Sequence, residues 1–283
     1  MRRFDLIEPL TLSEACAVIA DDDDAKVIAG GTALLILIKH GIFLPRTLVN
    51  LKKIKDAGDI GYDHQSGLRI GALASIYDIE SSPVVRRRYP ILAEACHSVA
   101  NIRIRNMATV GGNVAHGDYQ SDPPTALVAL DASVEITSPS STRRLSLADF
   151  LRGNYETALE PGELVSALTI PPADDLRGAY IKLTTGSSEE RPCVGIAALA
   201  RMHDGVCREL RLVIGAVSPC PVRVHSAEEM ARDEKLTPAL LEQLGTEARQ
   251  SVDTVDDARG TAEYKRHLVG VLARRAVAAA AQS

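Results

Sequence analysis

The chain has 283 residues, a formal net charge of −5, 46% apolar residues and 24% charged residues. These values are typical of a globular protein that is long enough for two domains. The acidic balance and the absence of Trp argue against a nucleic-acid-binding protein, which needs basic surface and often stacking aromatics. Near the N-terminus, Asp5, Glu8 and Pro9 interrupt any apolar run. We therefore expect no signal peptide, no transmembrane segment and a cytoplasmic protein.

The first 50 or so residues predict a small α/β unit. Thr11 and Glu14 have the spacing of a capping box at the start of a helix. The apolar patterns that follow predict a strand at 25–29, a helix at 32–40 and a strand at 47–51. Gly41 stands where a left-handed residue would close the second helix.

The middle of the chain predicts more strands, with helices between them. Strands are expected at 60–62, 68–70, 133–137, 143–145 and 164–170. Helices are expected around 75–81, 91–99 and 125–130. Pro171 and Pro172 then indicate a linker.

After this linker the pattern changes to three strands followed by three helices. The strands are expected at 179–185, 194–202 and 207–217, and the helices at 226–232, 238–250 and 263–280. Strands followed by helices are typical of an α+β domain, here with a three-stranded antiparallel sheet.

Two glycine pairs are the most informative motifs. Gly30-Gly31 lies between a predicted strand and a predicted helix, and Gly111-Gly112 follows a short apolar run and leads into a polar loop. A glycine turn lets the backbone approach a ligand closely, and its N–H groups can converge on an anion. Each pair alone could be a plain turn that needs glycine for its geometry. Together they suggest two loops that hold one long phosphorylated ligand, such as a dinucleotide.

Polar residues near these turns are further candidates. Asp118 and Asp122, in the predicted loop at 116–124, suit hydrogen bonds from ribose or ribityl hydroxyls. Asp122 could instead only cap the next helix. His116 is the one histidine that is a candidate for lying near a ligand, and Lys182 could reach a flavin edge or be an ordinary exposed residue.

Other chemistries find no support in the sequence. There is no GxGxxG and no P-loop motif, and none of the five cysteines forms a CxxC pair. We expect reduced, buried thiols and no metal site. No set of residues indicates a catalytic acid, base or nucleophile.

Several strings occur in an order that resembles a known family. They are AGGTALL at 29–35, TVGGN at 109–113, SDPPTALVALDA at 121–132 and GELVSALTIP at 162–171. They resemble the FAD-binding medium subunit of the xanthine dehydrogenase and aerobic carbon monoxide dehydrogenase family of molybdenum hydroxylases. The resemblance implies a two-lobed, non-Rossmann FAD-binding domain of the vanillyl-alcohol-oxidase type over 1–173, with lobes at about 1–55 and 56–173. The C-terminal domain of such subunits would cover 178–283.

The resemblance also implies which residues bind FAD. The backbone N–H groups of two segments would hold the pyrophosphate: Ala29, Gly30, Gly31, Thr32 and Ala33, and Thr109, Val110, Gly111, Gly112 and Asn113. Asp122 matches an aspartate that binds the cofactor, Val165 matches an apolar neighbour of the flavin, and Lys182 matches a lysine near it.

The function implied is electron transfer within a heterotrimeric unit. A large molybdenum-cofactor subunit would oxidise the substrate, and a small [2Fe-2S] subunit would pass electrons to FAD on this chain. The external acceptor would be NAD, a quinone or oxygen. Two alternatives stay open: a stand-alone FAD-dependent oxidoreductase with its own substrate pocket, and a non-enzymatic FAD- or nucleotide-binding scaffold.

Overall fold

The computed structural model describes residues 3–282, which form two compact units. The first unit contains the chain up to residue 79 together with 101–117 and 132–172. The second unit contains 80–100, 118–131 and the chain from residue 173 onward. Both units are therefore built from interleaved segments, and the expected domain bounds of 1–173 and 178–283 stay a prediction.

The N-terminal part of the first unit is a three-stranded parallel sheet with two helices. Its strands are β1 (Asp5–Ile7), β2 (Ala25–Ile28) and β3 (Thr47–Asn50), in the order β1-β3-β2. Its helices are α1 (Leu12–Asp21) and α2 (Leu34–Lys39). The predicted cap is confirmed, since Thr11 Oγ1 accepts the Glu14 N–H at 3.1 Å. Strand β1 was not predicted because three exposed residues carry no alternation.

The rest of the first unit contains a five-stranded antiparallel sheet in the order β4-β5-β10-β6-β7. These strands are β4 (Ile60–Asp63), β5 (Gly67–Gly71), β6 (Ser133–Thr137), β7 (Thr142–Ser146) and β10 (Leu164–Ile170). Shorter elements connect them: α6 (Ile102–Met107), α7 (Val110–His116), α9 (Leu147–Phe150), and the two-stranded ribbon of β8 (Leu151–Gly153) and β9 (Glu156–Thr157). Helix α3 (Ile76–Ser81) contains the point in the chain, between residues 79 and 80, where the first unit gives way to the second.

The second unit is an antiparallel sheet covered by helices. The strands β11 (Arg177–Leu183), β12 (Val194–His203), β13 (Val206–Gly215) and β14 (Val222–Arg223) pair in that order. The helices are α4 (Pro83–Arg88), α5 (Pro90–His97), α8 (Asp122–Ala129), α10 (His225–Ala231), α11 (Pro238–Gln250) and α12 (Ala262–Gln282). The sheet has four strands and not the predicted three. The sequence did not indicate β14 because a strand of two residues leaves no periodic signal.

One local prediction near the glycine motifs was wrong, and one alternative for Asp122 is excluded. The second glycine pair does not lead into a loop but lies in the first turn of α7, where Thr109 is the N-cap residue. Asp122 is not a cap, because it is the first residue of α8 and the capping position belongs to Ser121. Its carboxylate is therefore available for other partners.

The remaining expectations concern the thiols and the membrane. None of the five cysteines is in a disulfide bond; four are buried and Cys220 is half-buried. Within residues 3–282, no helix has the length and apolar character needed to cross a membrane.

Candidate functional site

The first glycine pair forms a tight turn between β2 and α2. Gly31 has a φ of +72°, a conformation that strains any residue with a side chain. A Cβ on Gly30 would lie 2.0 Å from the carbonyl oxygen of Met107 and 2.9 Å from the Cα of Ala108. Gly30 is thus required by close packing on the residues that immediately precede the second glycine segment. The structure brings the two motifs together in the first unit.

This turn leaves a run of backbone donors unused. The first backbone N–H after the turn that has an acceptor is that of Leu35, which donates to the carbonyl of Gly31 at 3.0 Å. The N–H groups of the four preceding residues, 31–34, donate to no acceptor in the part of the chain that the structure describes. Backbone N–H groups of a turn that have no acceptor within the protein can donate hydrogen bonds to a bound anion. This turn can therefore bind a phosphate group.

The second glycine segment differs in this respect. The Val110 N–H donates to the Ala74 carbonyl at 3.0 Å and the Gly111 N–H to the Ala72 carbonyl at 2.9 Å. Gly112 donates to Thr109 Oγ1 at 3.2 Å. A Cβ on Gly111 would lie 2.5 Å from the Cβ of Ala72. Gly111 is therefore a packing residue, whereas Gly112 is exposed.

Val165 lies on β10 of the same unit. It is 6% exposed, and the strand is irregular between Val165 and Ala167. The carbonyl of the intervening Ser166 accepts the Ala72 N–H at 3.0 Å. Since Ala72 also packs against Gly111, Val165 is linked through these contacts to the second glycine segment.

In the second unit, Asp122 lies at the centre of a buried polar cluster. Tyr180 donates its hydroxyl to Asp122 Oδ1 at 2.8 Å, and Lys182 Nζ donates to Asp122 Oδ2 at 3.1 Å. Lys182 Nζ also donates to the Ser98 carbonyl at 2.7 Å. The ammonium has three N–H donors, and the third has no partner among residues 3–282. Lys182 is therefore a buried cation with a spare donor and not an ordinary exposed lysine.

Burial is the largest influence on the pKa values of Asp122 and Tyr180. It raises the pKa of the Asp122 carboxyl from its ordinary 3.8 to about 6, although the nearby Lys182 charge and the Tyr180 hydroxyl act to lower it. Burial and the Asp122 carboxylate raise the pKa of Tyr180 well above its ordinary value. At neutral pH, Tyr180 is therefore a hydrogen-bond donor and Asp122 is mostly ionised.

We expect this carboxyl to make the stability of the flavin-free chain depend on pH. Because its folded pKa of about 6 exceeds 3.8, the proton binds more tightly to the folded chain. The stabilisation is fully present below pH 3.8 and is lost as the pH rises through 6, by about 3 kcal/mol at most. Asp122→Asn cannot titrate, so its free energy of unfolding should rise relative to wild type between pH 4 and pH 7. Denaturant unfolding of both proteins at several pH values measures this difference, and parallel pH profiles would contradict it.

Asp118 precedes this cluster in the chain and has its own partners. Arg191 Nε lies 2.7 Å from Asp118 Oδ2, and the Gln120 N–H donates to Asp118 Oδ1 at 3.1 Å. His116, in the first unit, packs its ring against Tyr155 with the centroids 5.1 Å apart. The functional prediction for His116 gains no support from this contact.

Sequence reasoning missed Tyr180, although it stands two residues before Lys182 on the same strand. The spacing of two places both side chains on one face of β11, which was the available signal. Sequence reasoning also missed Gln120, Arg191 and Asp257, whose partners are distant in sequence and carry no local signature.

Comparison with known proteins identifies the family. Residues 2–173 match the family model described as the FAD binding domain in molybdopterin dehydrogenase, and residues 180–280 match the CO dehydrogenase flavoprotein C-terminal domain. The chain is 30% identical over 272 residues to the xanthine dehydrogenase FAD-binding subunit of Escherichia coli O157:H7, covering 95% of this chain and 93% of that protein. It is 31% identical over 276 residues to the carbon monoxide dehydrogenase medium chain of Afipia carboxidovorans, covering 97% of this chain and 95% of that protein.

A solved structure has the same fold. A chain of quinoline 2-oxidoreductase from Pseudomonas putida 86 superposes with a TM-score of 0.95 at 28% identity, covering 99% of this chain and 98% of that one. The predicted α+β class, with an FAD-binding domain followed by a C-terminal domain, is thereby confirmed. The protein belongs to the family of FAD-binding medium subunits of the molybdenum hydroxylases, the flavoprotein subunits of xanthine and carbon monoxide dehydrogenases.

Proposed function

We propose that the turn at 29–33 holds the pyrophosphate of FAD through its backbone. The observation that carries this proposal is the run of unused N–H groups from residue 31 to residue 34. Their donors can satisfy phosphate oxygens without displacing any hydrogen bond within the chain. The Thr32 hydroxyl also has no partner among the described residues and can add a further donor.

The second glycine segment, Thr109–Asn113, is proposed to contact the cofactor in another way. Since the N–H groups of Val110 and Gly111 are used in packing, these two residues support the segment. The exposed Gly112 and its neighbours Thr109 and Asn113 would then form the contact. Gly112 can donate its N–H to the cofactor if the Thr109 hydroxyl rotates away. Val165 is proposed as an apolar neighbour of the flavin.

In the second unit, we propose that Asp122 and Lys182 contact FAD directly. The spare N–H donor of Lys182 suits a flavin carbonyl or ring nitrogen, and a nearby positive charge favours the reduced flavin. Asp122 retains acceptor capacity for a cofactor hydroxyl, since each of its oxygens accepts one hydrogen bond and has a second lone pair. Asp118 accepts the Gln120 N–H and pairs with Arg191, and we propose that its remaining lone pairs also accept a hydrogen bond from a cofactor hydroxyl.

The proposed role of the chain is electron transfer. Bound FAD supplies the redox chemistry, and the residues above bind and orient it. The electrons would come from the [2Fe-2S] clusters of a small partner subunit, after substrate oxidation at a large molybdenum-cofactor subunit. The acceptor would be NAD, a quinone or oxygen. Support comes from the relatives, which are named as FAD-binding subunits or medium chains of dehydrogenases.

The finer details of fold and location are proposed with it. The parallel sheet at 5–50 and the antiparallel sheet at 60–170 support two lobes, 1–55 and 56–173, of a non-Rossmann, vanillyl-alcohol-oxidase-like domain. Residues 178–283 would be the C-terminal domain. The cytoplasm is the proposed location.

The purified chain is expected to carry about one FAD, held non-covalently. We expect FAD and not FMN, because the two neighbouring glycine segments suit a ligand with a pyrophosphate and FMN has none. Acid precipitation should release the flavin, and chromatography should identify it as FAD. A flavin that stays on the precipitated protein, or release of FMN alone, would contradict the proposal.

Co-expression with candidate partner genes distinguishes the alternatives. We expect a large and a small subunit to co-purify with the flavin-loaded chain. Sustained oxidation of an aldehyde, purine or carbon monoxide by the isolated chain would favour the stand-alone oxidoreductase. A colourless chain without flavin would favour the non-enzymatic scaffold.

A further inference from the structure

A fully buried lysine in the second unit has no part in the proposed contacts with FAD. Lys265, in the first turns of α12, has 0% exposure. Its Nζ lies 2.7 Å from Asp257 Oδ2 and donates to the Val255 carbonyl at 2.9 Å. Burying an ammonium is costly unless it is paired. The pairing with Asp257 offsets this cost and ties the position of each group to the other.

Asp257 collects donors from two separate parts of the chain. Its Oδ2 accepts from Lys265, from Gln120 Nε2 at 2.8 Å and from the Tyr119 hydroxyl at 3.4 Å. Its Oδ1 accepts the Arg259 N–H at 2.8 Å. Burial raises the pKa of Asp257, but Lys265 and the Arg259 N–H outweigh burial and hold it below the ordinary value. The carboxylate therefore stays charged at neutral pH and keeps all of these donors.

The side-chain amide of Gln120 is held at both ends. Its nitrogen donates to Asp257, and its oxygen accepts from Arg259 Nη1 at 2.9 Å. Gln120 is 5% exposed and stands two residues before Asp122. Arg259 Nε also donates to the carbonyl of Arg191 at 3.3 Å, and Arg191 pairs with Asp118. The segment 118–120 is thus fixed by groups from residues 191, 257 and 259.

We propose that Lys265 is a positioning residue for FAD binding, acting through Asp257 and Gln120 on the segment that carries Asp118 and Asp122. The inference rests on the proposed contact between Asp122 and the cofactor. Lys265 touches neither the cofactor nor Asp122. Its charge keeps the Asp257 carboxylate ionised and aligned, so that the Gln120 amide fixes the segment ahead of α8.

The first test replaces the ammonium. Lys265→Met should lower FAD affinity by about tenfold to a hundredfold, the range seen for coupling within one hydrogen-bonded network. Lys265→Arg keeps the charge and should restore most of the affinity. FAD dissociation constants are measured by flavin fluorescence at a temperature where the flavin-free variants are fully folded.

A matched control separates positioning from general destabilisation. Glu228 is 7% exposed, accepts the Leu212 N–H at 3.0 Å and pairs with Arg223. Glu228→Gln disrupts a comparably buried ion pair of the same unit, and among the described residues Glu228 shares no hydrogen-bond or ion-pair partner with the Gln120 network. It should lower the unfolding temperature without weakening FAD binding. Equal losses of affinity in Lys265→Met and Glu228→Gln would overturn the proposal.

A second readout uses pH. Gln120→Glu places an added carboxyl against Asp257, so its FAD affinity relative to wild type should recover about tenfold as the pH falls from 8 to 5.5. A ratio that is constant with pH would contradict the role of Gln120.

If Asp122→Asn weakens FAD binding while Lys265→Met does not, the positioning inference fails and the proposed site stands. If wild type binds no FAD, or Asp122→Asn binds as wild type does, the proposed site itself fails.

Discussion

Gly30→Ala is expected to destabilise the first unit by on the order of 3 kcal/mol or more. The added methyl group would lie 2.0 Å from the Met107 carbonyl oxygen and 2.8 Å from its carbonyl carbon. Both are backbone atoms, so relief requires that the turn or the end of α6 moves. Such a movement would also separate the two glycine segments. We therefore expect loss of cooperative folding or a large fall in unfolding temperature, together with loss of bound FAD.

Gly41→Ala is the matched control for this prediction. Gly41 has a φ of +69°, and a Cβ there would meet no atom within 4 Å. Only the left-handed backbone strain remains, which costs about 1 kcal/mol. Thermal and denaturant unfolding of the two variants compares steric clash with strain. Equal stability of Gly30→Ala and Gly41→Ala would show that Gly30 does not pack on Met107 in solution.

Lys182→Met is expected to weaken FAD binding by roughly 10- to 100-fold at pH 7. The variant loses the spare N–H donor that we assign to the flavin, and a hydrogen bond from a charged group contributes about 1.5–3 kcal/mol. It also removes the charge that lowers the pKa of Asp122. The carboxyl should then stay protonated above pH 6 and lose its capacity as an anionic acceptor.

Two measurements test this expectation. Flavin fluorescence titration gives the dissociation constant, with the exposed Lys235→Met as a control for the loss of one positive charge in the same unit. The free energy of unfolding of Lys182→Met is compared with that of Lys182→Met/Asp122→Asn at several pH values. The pH dependence of the difference gives the apparent pKa of the Asp122 carboxyl, which should lie above the wild-type value of about 6. An unchanged affinity together with an unchanged pKa would contradict both the contact and the charge coupling.

Features that depend on neighbours in the chain could be predicted from the sequence. Thr11 caps α1 as its spacing indicated, and Thr237 caps α11 just before Pro238. The strands predicted at 194–202 and 207–217 appear as the paired strands β12 and β13. The turn at Gly30-Gly31 also forms between a strand and a helix. Capping, alternation and turn chemistry act over a few residues, so the chain itself contains the information.

The roles of the polar side chains were decided by tertiary structure. In the sequence Asp122 could equally be a helix cap, yet burial against Tyr180 and Lys182 makes it part of an ion pair. The two glycine pairs look alike in sequence, but Gly111 donates to the Ala72 carbonyl and Gly112 to the Thr109 hydroxyl, whereas the Gly31 N–H has no acceptor among the described residues. Lys265 finds Asp257 and Gln120 only once α12 is packed. These outcomes depend on burial and on contacts between residues far apart in the chain, which no local pattern encodes.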